Sequence, residues 1–118
     1  MARFEDLDVW KRSARLSADI YKAFARITDY GFRDQITRSG LSISSNIAEG
    51  YERCSDRELS NFLNYAKGSA GELRSQLYIA MEIGYLDKAQ GRRWIVEVQE
   101  ISKMLHALIS HYRRKSSG

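Results

Sequence analysis

Apolar residues recur every three or four positions along four separate segments of the chain. In the first segment Val9, Leu16 and Phe24 share one helical face, and Val98 and Leu105 do so in the last. This spacing matches the 3.6-residue period of an amphipathic helix, and not the two-residue alternation of a half-buried strand. The pattern predicts four helices, at about residues 7–27, 32–53, 56–83 and 88–112.

Short polar turns separate these segments and supply the signals that end each helix. Ser55 and Glu58 form a capping box ahead of the third helix, in which each side chain bonds the other residue's backbone N–H. Asp87 is the expected N-cap of the fourth helix, and Gly84 the expected end of the third. Because short turns make consecutive helices antiparallel, we expect one all-α domain over residues 1–118, an up-down-up-down four-helix bundle.

The second helix contains a stretch of poor helix formers, SGLSISSN, at residues 39–46. Serine, glycine and asparagine all disfavour a helix interior, yet Ile36 and Ile43 keep the helical period through this stretch. We therefore expect close packing against a neighbouring helix to hold the segment in helical form. Gly68 and Gly71 of the third helix are the expected points of close approach.

Composition supports the helical interpretation and limits the class of protein. The 118 residues include no proline, which breaks helix interiors, and 43% of them are hydrophobic, which is too many for a disordered chain. The first residues lack the apolar stretch of a signal peptide, and no apolar run reaches the roughly 18 residues of a membrane span. A cytoplasmic protein without membrane contact is expected. The single cysteine, Cys54, is expected to be a buried or half-buried small residue.

Polar residues also recur at helical spacing where the second and third helices are expected to face each other. This candidate polar seam consists of Gln35, Arg38, Ser42, Asn46, Glu49 and Glu72. If the turn is centred near Cys54, Arg38 faces Glu72, and the two are expected to form a partly desolvated ion pair. The seam either fixes the register of the bundle or forms a ligand or catalytic pocket. The first interpretation is favoured, because the seam contains no histidine to act near neutral pH.

The chain carries a mild excess of positive charge, with 19 Lys and Arg against 15 Asp and Glu, a net charge of +4. This excess permits contact with nucleic acid without requiring it. Because no base-reading motif is present, such contact is expected to use the phosphate backbone without sequence preference. The candidate nucleic-acid contacts are Lys11, Arg12, Arg15, Arg33, Arg92, Arg93, Arg113, Arg114 and Lys115.

Catalytic and metal sites are not expected. His106 and His111 are five residues apart, so they do not share a helix face as metal ligands at positions i and i+4 would. The chain has no Glu-x-x-His motif of a di-iron bundle and no phosphate-loop or dinucleotide fingerprint. We therefore expect a non-enzymatic protein without a metal ion or another cofactor.

The chain contains the strings FEDLDVW (4–10), YGFRDQITRS (30–39), SISSNIAEG (42–50), FLNYAKGSAGEL (62–73) and GYL (84–86). These strings resemble those of the four-helix bundle proteins encoded in intervening sequences of bacterial 23S ribosomal RNA genes. The chain is similar also to the accessory protein of diversity-generating retroelements, a basic pentamer associated with RNA and a reverse transcriptase. The resemblance implies a homopentamer in which five bundles surround a central channel.

Two functional hypotheses follow. In the first, the chain is an oligomeric scaffold in which five copies of +4 carry +20, and symmetry repeats each basic cluster around a ring to attract phosphates. In the second, it is a protein–protein interaction module with no nucleic-acid role. Five apolar residues fall outside the main stripes of the helices. They either form a subunit interface or are isolated apolar residues of the kind that any protein surface exposes. These residues are Tyr51, Tyr78, Ile79, Ile95 and Ile109.

Overall fold

The computed structural model describes residues 3–117, which are helical apart from short turns. A short 3-10 helix, Phe4–Asp6, precedes four α-helices. These are α1 (Asp8–Phe24), α2 (Tyr30–Tyr51), α3 (Asp56–Glu82) and α4 (Lys88–Ser117). The predicted all-α class with four helices is therefore confirmed. The molecule measures 49 × 22 × 20 Å. Its longest dimension is close to the length of its longest helix, α4, at 1.5 Å per residue.

Contacts between consecutive helices establish their relative directions. The contacts are Ser17–Gly40 and Phe24–Phe32 between α1 and α2, Ser42–Ser69 and Gly50–Leu59 between α2 and α3, and Asp56–Lys115 and Lys67–His106 between α3 and α4. In each pair of helices, the residue number on one rises as the number on the other falls. Consecutive helices are therefore antiparallel, as the short turns predict.

The ends of the helices differ from the predicted ends by a few residues. α1 ends at Phe24, three residues early, and α2 begins at Tyr30, two residues early. The early start of α2 has a local cause, because the Asp29 side chain caps the helix by accepting from the Phe32 N–H at 3.2 Å. α4 continues to Ser117, five residues beyond the predicted end at about residue 112.

The predicted caps of α3 and α4 are present, with one difference. Ser55 Oγ accepts from the Glu58 N–H at 3.1 Å, but the Glu58 carboxylate accepts from the Ser55 hydroxyl at 3.3 Å and not from its backbone. Asp87 Oδ2 accepts from the Gln90 N–H at 3.1 Å and caps α4. Gly84 has a φ of +80°, the left-handed conformation that glycine adopts without strain when it ends a helix.

The apolar stripes of the four helices meet in one core along the bundle axis. Ile20, Ile36, Ile43, Leu73 and Leu105 are all fully buried there, as their periodicity predicts. Full burial of one such side chain stabilises the fold by roughly 1.5–3 kcal/mol. The core is therefore the main source of stability in the monomer.

Three of the five residues expected to lie outside the core belong to it. Tyr51, Ile95 and Ile109 are buried, so assigning them to surplus surface was wrong. A globular helix buries a face wider than one stripe, and positions beside the stripe are covered by the neighbouring helices. Tyr78 and Ile79 remain exposed, at 53% and 47%.

α2 is packed closely along much of its length, as its small residues predict. A Cβ placed on Gly40 would lie 3.6 Å from Ile20 Cδ1 and 3.8 Å from Ser17 Cα, both on α1. Ser39 and Ser44 on the same stretch are also buried. The expected close packing of residues 39–46 is confirmed, and α1 is a close neighbour of this stretch.

Among the glycines of α2 and α3, the tightest contact between the two helices is at Gly50, and not at Gly68 or Gly71. A Cβ on Gly50 would lie 2.9 Å from Leu59 Cδ1 and 3.3 Å from Leu59 O. Around Gly68 and Gly71 no atom lies within 4 Å of such a Cβ, and both residues are exposed. The prediction that these two glycines allow the helices to approach was therefore wrong.

A two-pronged ion pair joins α1 to α4. Arg12 Nε donates to Glu97 Oε2 at 2.9 Å, and Arg12 Nη2 donates to Glu97 Oε1 at 2.5 Å. Arg12 Nη1 lies 3.7 Å from Met104 Sδ. The hydrogen bond from Arg12 lowers the pKa of Glu97, although partial burial opposes this effect.

We predict that Gly50→Ala lowers the free energy of unfolding by about 1–3 kcal/mol, because the added methyl group overlaps Leu59 and its backbone oxygen. Gly68→Ala is the matched control, because its methyl group meets nothing and alanine favours a helix by about 0.5–1 kcal/mol over glycine. Urea denaturation of both variants measures the difference. Equal stability of the two variants would contradict the account of close packing.

We predict that Glu97→Gln removes part of the loss of stability that the protein shows in acid. Because the folded pKa of Glu97 is lowered, its pair with Arg12 contributes above the ordinary glutamate pKa, and the contribution is lost as the pH falls through the folded value. The pair is partly exposed, so we expect about 0.5–1 kcal/mol. The free energy of unfolding of each variant, measured at pH 7 and at pH 3, tests this prediction. Glu52→Gln is the control, because Glu52 is exposed. The prediction is refuted if the free energy of unfolding changes with pH in the same way in both variants.

Candidate nucleic-acid interface

Four of the six predicted seam residues lie together in a groove between α2 and α3. The groove has a volume of about 360 Å³ and is lined by Gln35, Arg38, Ser39, Ser42, Ser69, Glu72 and Gln76. Two serine hydroxyls, of Ser42 and Ser69, hydrogen bond to each other and connect the helices. Gln76 Oε1 is buried and has no hydrogen-bond partner within residues 3–117. The groove therefore presents both hydrogen-bond donors and hydrogen-bond acceptors.

The other two seam residues bond to α2 itself and to the turn that follows it. Asn46 Nδ2 donates to Ser42 O at 2.8 Å, one turn earlier on the same helix. Glu49 forms an ion pair with Arg53 at 2.5 Å, and both side chains are exposed. Neither side chain therefore adds to the hydrogen bond by which Ser42 of α2 contacts Ser69 of α3.

The expected Arg38–Glu72 ion pair is not formed. Both residues line the groove, but no nitrogen of Arg38 lies within 4.0 Å of a carboxylate oxygen of Glu72 or of another residue in the described chain. Both residues are exposed, so the expectation of partial desolvation was wrong. The residues lie on the outer rim of the groove, where water screens their attraction.

The nine predicted nucleic-acid contacts are divided among three places on the bundle. Arg33, Arg92 and Arg93 lie at the end where α2 and α4 begin, and Arg113, Arg114 and Lys115 lie at the end where α4 finishes. Lys11, Arg12 and Arg15 lie on α1, where Arg12 meets Glu97 in the first half of α4. Arg92 and Arg113 are 21 residues apart on α4, which is about 31 Å of helix. The nine residues therefore do not form one continuous patch on a single chain.

Three of the nine side chains are held by neighbouring groups of the same chain. Arg12 is engaged by Glu97, as described above, and is only partly exposed. Arg33 lies 3.5 Å from Asp34 Oδ1, and its guanidinium is 4.7 Å from the centre of the Tyr30 ring. Lys115 Nζ lies 3.8 Å from Asp56 Oδ2 of α3. Arg12 thus links α1 to α4 and is less available than the exposed cations to contact nucleic acid.

The remaining six cations share two properties. They are exposed, and none lies within 4.0 Å of a carboxylate of residues 3–117. They are Lys11, Arg15, Arg92, Arg93, Arg113 and Arg114. Arg113 and Arg114 lie in the last turns of α4, where the helix dipole favours positive charge.

A second groove, between α1 and α2, was missed by sequence reasoning. It has a volume of about 400 Å³ and is lined by Tyr21, Ala25, Arg33, Asp34, Thr37, Arg38 and Leu41. Tyr21 lies on the first helix next to the buried Ile20, and no feature of the sequence distinguishes it from a core residue. In the structure it is 47% exposed.

The described part of the chain contains no cluster of three or more metal-ligating side chains. None of its helices combines the length and the apolar character that crossing a bilayer requires. Cys54 is exposed in the turn between α2 and α3, so the expectation that it is buried or half-buried was wrong. His106 and His111 are both exposed on α4.

Comparison with known proteins places the fold in a family. The model of a family described as the 23S rRNA-intervening sequence protein matches residues 5–107. One solved structure is that of a protein with unknown function from the S23 ribosomal protein family of Bacteroides thetaiotaomicron. It has a TM-score of 0.80 and 28% sequence identity, and the match covers 86% of this chain and 97% of that one. No curated protein matches. The chain therefore belongs to the 23S rRNA-intervening sequence protein family.

Proposed function

We propose that the chain is a non-enzymatic, homo-oligomeric scaffold that binds nucleic acid through its exposed cations. The observation that carries this proposal is the set of six exposed Lys and Arg side chains without carboxylate partners. A cation that is not neutralised by its own chain remains available to a phosphate, and each phosphate contact releases counterions. Binding is expected to follow the backbone and not the base sequence.

The separation of these cations into three small groups favours an assembly over a single chain as the binding unit. On one chain each group offers only a few charges, which is too few for strong binding at physiological salt. Cyclic symmetry brings one end of every copy to the same face of a ring and multiplies the local charge. We propose five copies, which is what the resemblance to the retroelement accessory protein implies; at +4 each, the five carry +20.

A protein–protein interaction module is the second candidate, and an exposed apolar group at the C-terminal end of α3 favours it. Ile79 and Ile83 are one helical turn apart, and both are close to half exposed; Tyr78 beside them is 53% exposed. Adjacent exposed apolar residues are typical of a surface that is covered by a partner. Co-purification of a second protein from the native host, without nucleic acid, would favour this candidate over the first.

We predict that the protein binds duplex DNA and single-stranded RNA on filters at 50 mM salt, and that its affinity falls at least tenfold by 200 mM salt. The double variant Arg113→Gln/Arg114→Gln weakens binding and flattens the salt dependence, because it removes two free cations from every copy. Lys103→Gln is the matched control, because that charge is already paired with Glu100 at 3.5 Å. Absence of binding at low salt contradicts the proposed function.

We predict a solution mass of about five times the 13.6 kDa chain, or about 68 kDa, by light scattering. The apolar side chains left exposed on α3 supply part of the driving force for assembly. A monomeric mass across the micromolar range refutes the assembly and, with it, the multiplication of charge.

A further inference from the structure

The groove between α1 and α2 combines an exposed aromatic ring with guanidinium groups. Tyr21 of α1 is 47% exposed, and its hydroxyl has no hydrogen-bond partner among residues 3–117. Leu41 on the opposite side is 46% exposed. The volume of about 400 Å³ is on the scale of a small-molecule site, which occupies roughly 300–1,000 Å³. A flat ring can therefore enter the groove and cover both apolar side chains.

Arg33 and Arg38 supply positive charge to the same groove. Arg33 is held in place, because its guanidinium stacks over Tyr30 at 4.7 Å and lies 3.5 Å from Asp34 Oδ1. Arg38 is exposed and lines this groove as well as the polar groove on the other side of α2, so it lies on the ridge between them. One guanidinium is thus fixed in position, and the other is free to move towards an anion.

The polar groove between α2 and α3 fits this ligand chemistry less well. Its lining residues include no aromatic ring, and they include the exposed carboxylate of Glu72. A phosphate near Arg38 is therefore better accommodated with its base on the side of Tyr21. Asp34 is the one carboxylate among the residues that line the α1–α2 groove, and Arg33 lies beside it.

We infer that the α1–α2 groove binds a nucleotide of single-stranded nucleic acid, with the base stacked on Tyr21 and the phosphate held by Arg33 and Arg38. This inference rests on the proposed nucleic-acid function and names its site. Stacking on an aromatic side chain is tolerant of base identity, which agrees with the absence of a base-reading motif. A duplex cannot use the groove in this way, because its bases are already stacked on one another. The site therefore gives the protein a preference for single strands that its surface charge alone does not.

The test measures the affinity of the full chain for a labelled 15-nucleotide oligo(U) strand and for a duplex of the same length at 50 mM salt. Tyr21→Leu keeps an apolar side chain but removes the ring, and we expect about tenfold weaker binding of the single strand with unchanged binding of the duplex. Tyr21→Phe keeps the ring and is expected to bind like the wild type. Arg38→Gln should weaken single-strand binding more than Arg74→Gln, an exposed charge on α3 outside the groove.

A second measurement does not depend on the folding of a variant. Ultraviolet cross-linking of the wild-type protein to oligo(U), followed by peptide mass spectrometry, should place cross-links on Tyr21 or on Tyr30 beside Arg33. Cross-links confined to α4, or equal affinities of Tyr21→Leu and Tyr21→Phe for the single strand, overturn the groove while leaving nucleic-acid binding intact. If the wild type binds neither the strand nor the duplex, the proposed function itself fails.

Discussion

The bundle depends on how closely α2 can approach its neighbours. Gly50 meets α3 at a distance that leaves no room for a side chain, and Gly40 lies where a Cβ would be in van der Waals contact with α1. These contacts occur on a helix that is rich in serine and glycine, residues which cost helix stability when they stand alone. Packing in the folded molecule outweighs that cost, because close backbone approach lets the isoleucines of α2 fill the core. The buried hydroxyls of Thr37 and Ser44 keep hydrogen-bond partners, since both donate to carbonyls of their own helix.

The outer surface follows from this core. Once the apolar stripes are buried, the polar and charged side chains are left along the outer grooves and at the two ends of the bundle. Some of them have a structural role: Arg12 joins α1 to α4, and the Ser42–Ser69 pair joins α2 to α3. The six cations without carboxylate partners, and the groove between α1 and α2, do not join helices within one chain. For that reason the proposals of function concern these surfaces and not the interior.

Periodicity was sufficient to predict the four helices, most of the core and the caps at Ser55 and Asp87, because these features depend on residues close together in the sequence. Features that depend on the relative rotation of two helices were predicted less well. Gly68 and Gly50 look alike in a sequence, and only the packing distinguishes an exposed glycine from one in a close contact. The same limit explains why the predicted Arg38–Glu72 ion pair is not formed. The two residues have the right spacing in the sequence, but both lie outside the line along which α2 and α3 touch. The bond from Arg12 spans 85 residues of chain, and charge alone gives no signal for such a partner.

Hydrogen exchange of the backbone amides in residues 39–46 of α2 tests the central claim most directly. The account predicts protection there comparable to that in the leucine-rich part of α3 around Leu73 and Leu77, because tertiary packing holds both segments in the helical state. Exchange of residues 39–46 at the rate of an unstructured chain, with α3 still protected, would contradict it, since propensity and not packing would then control this helix.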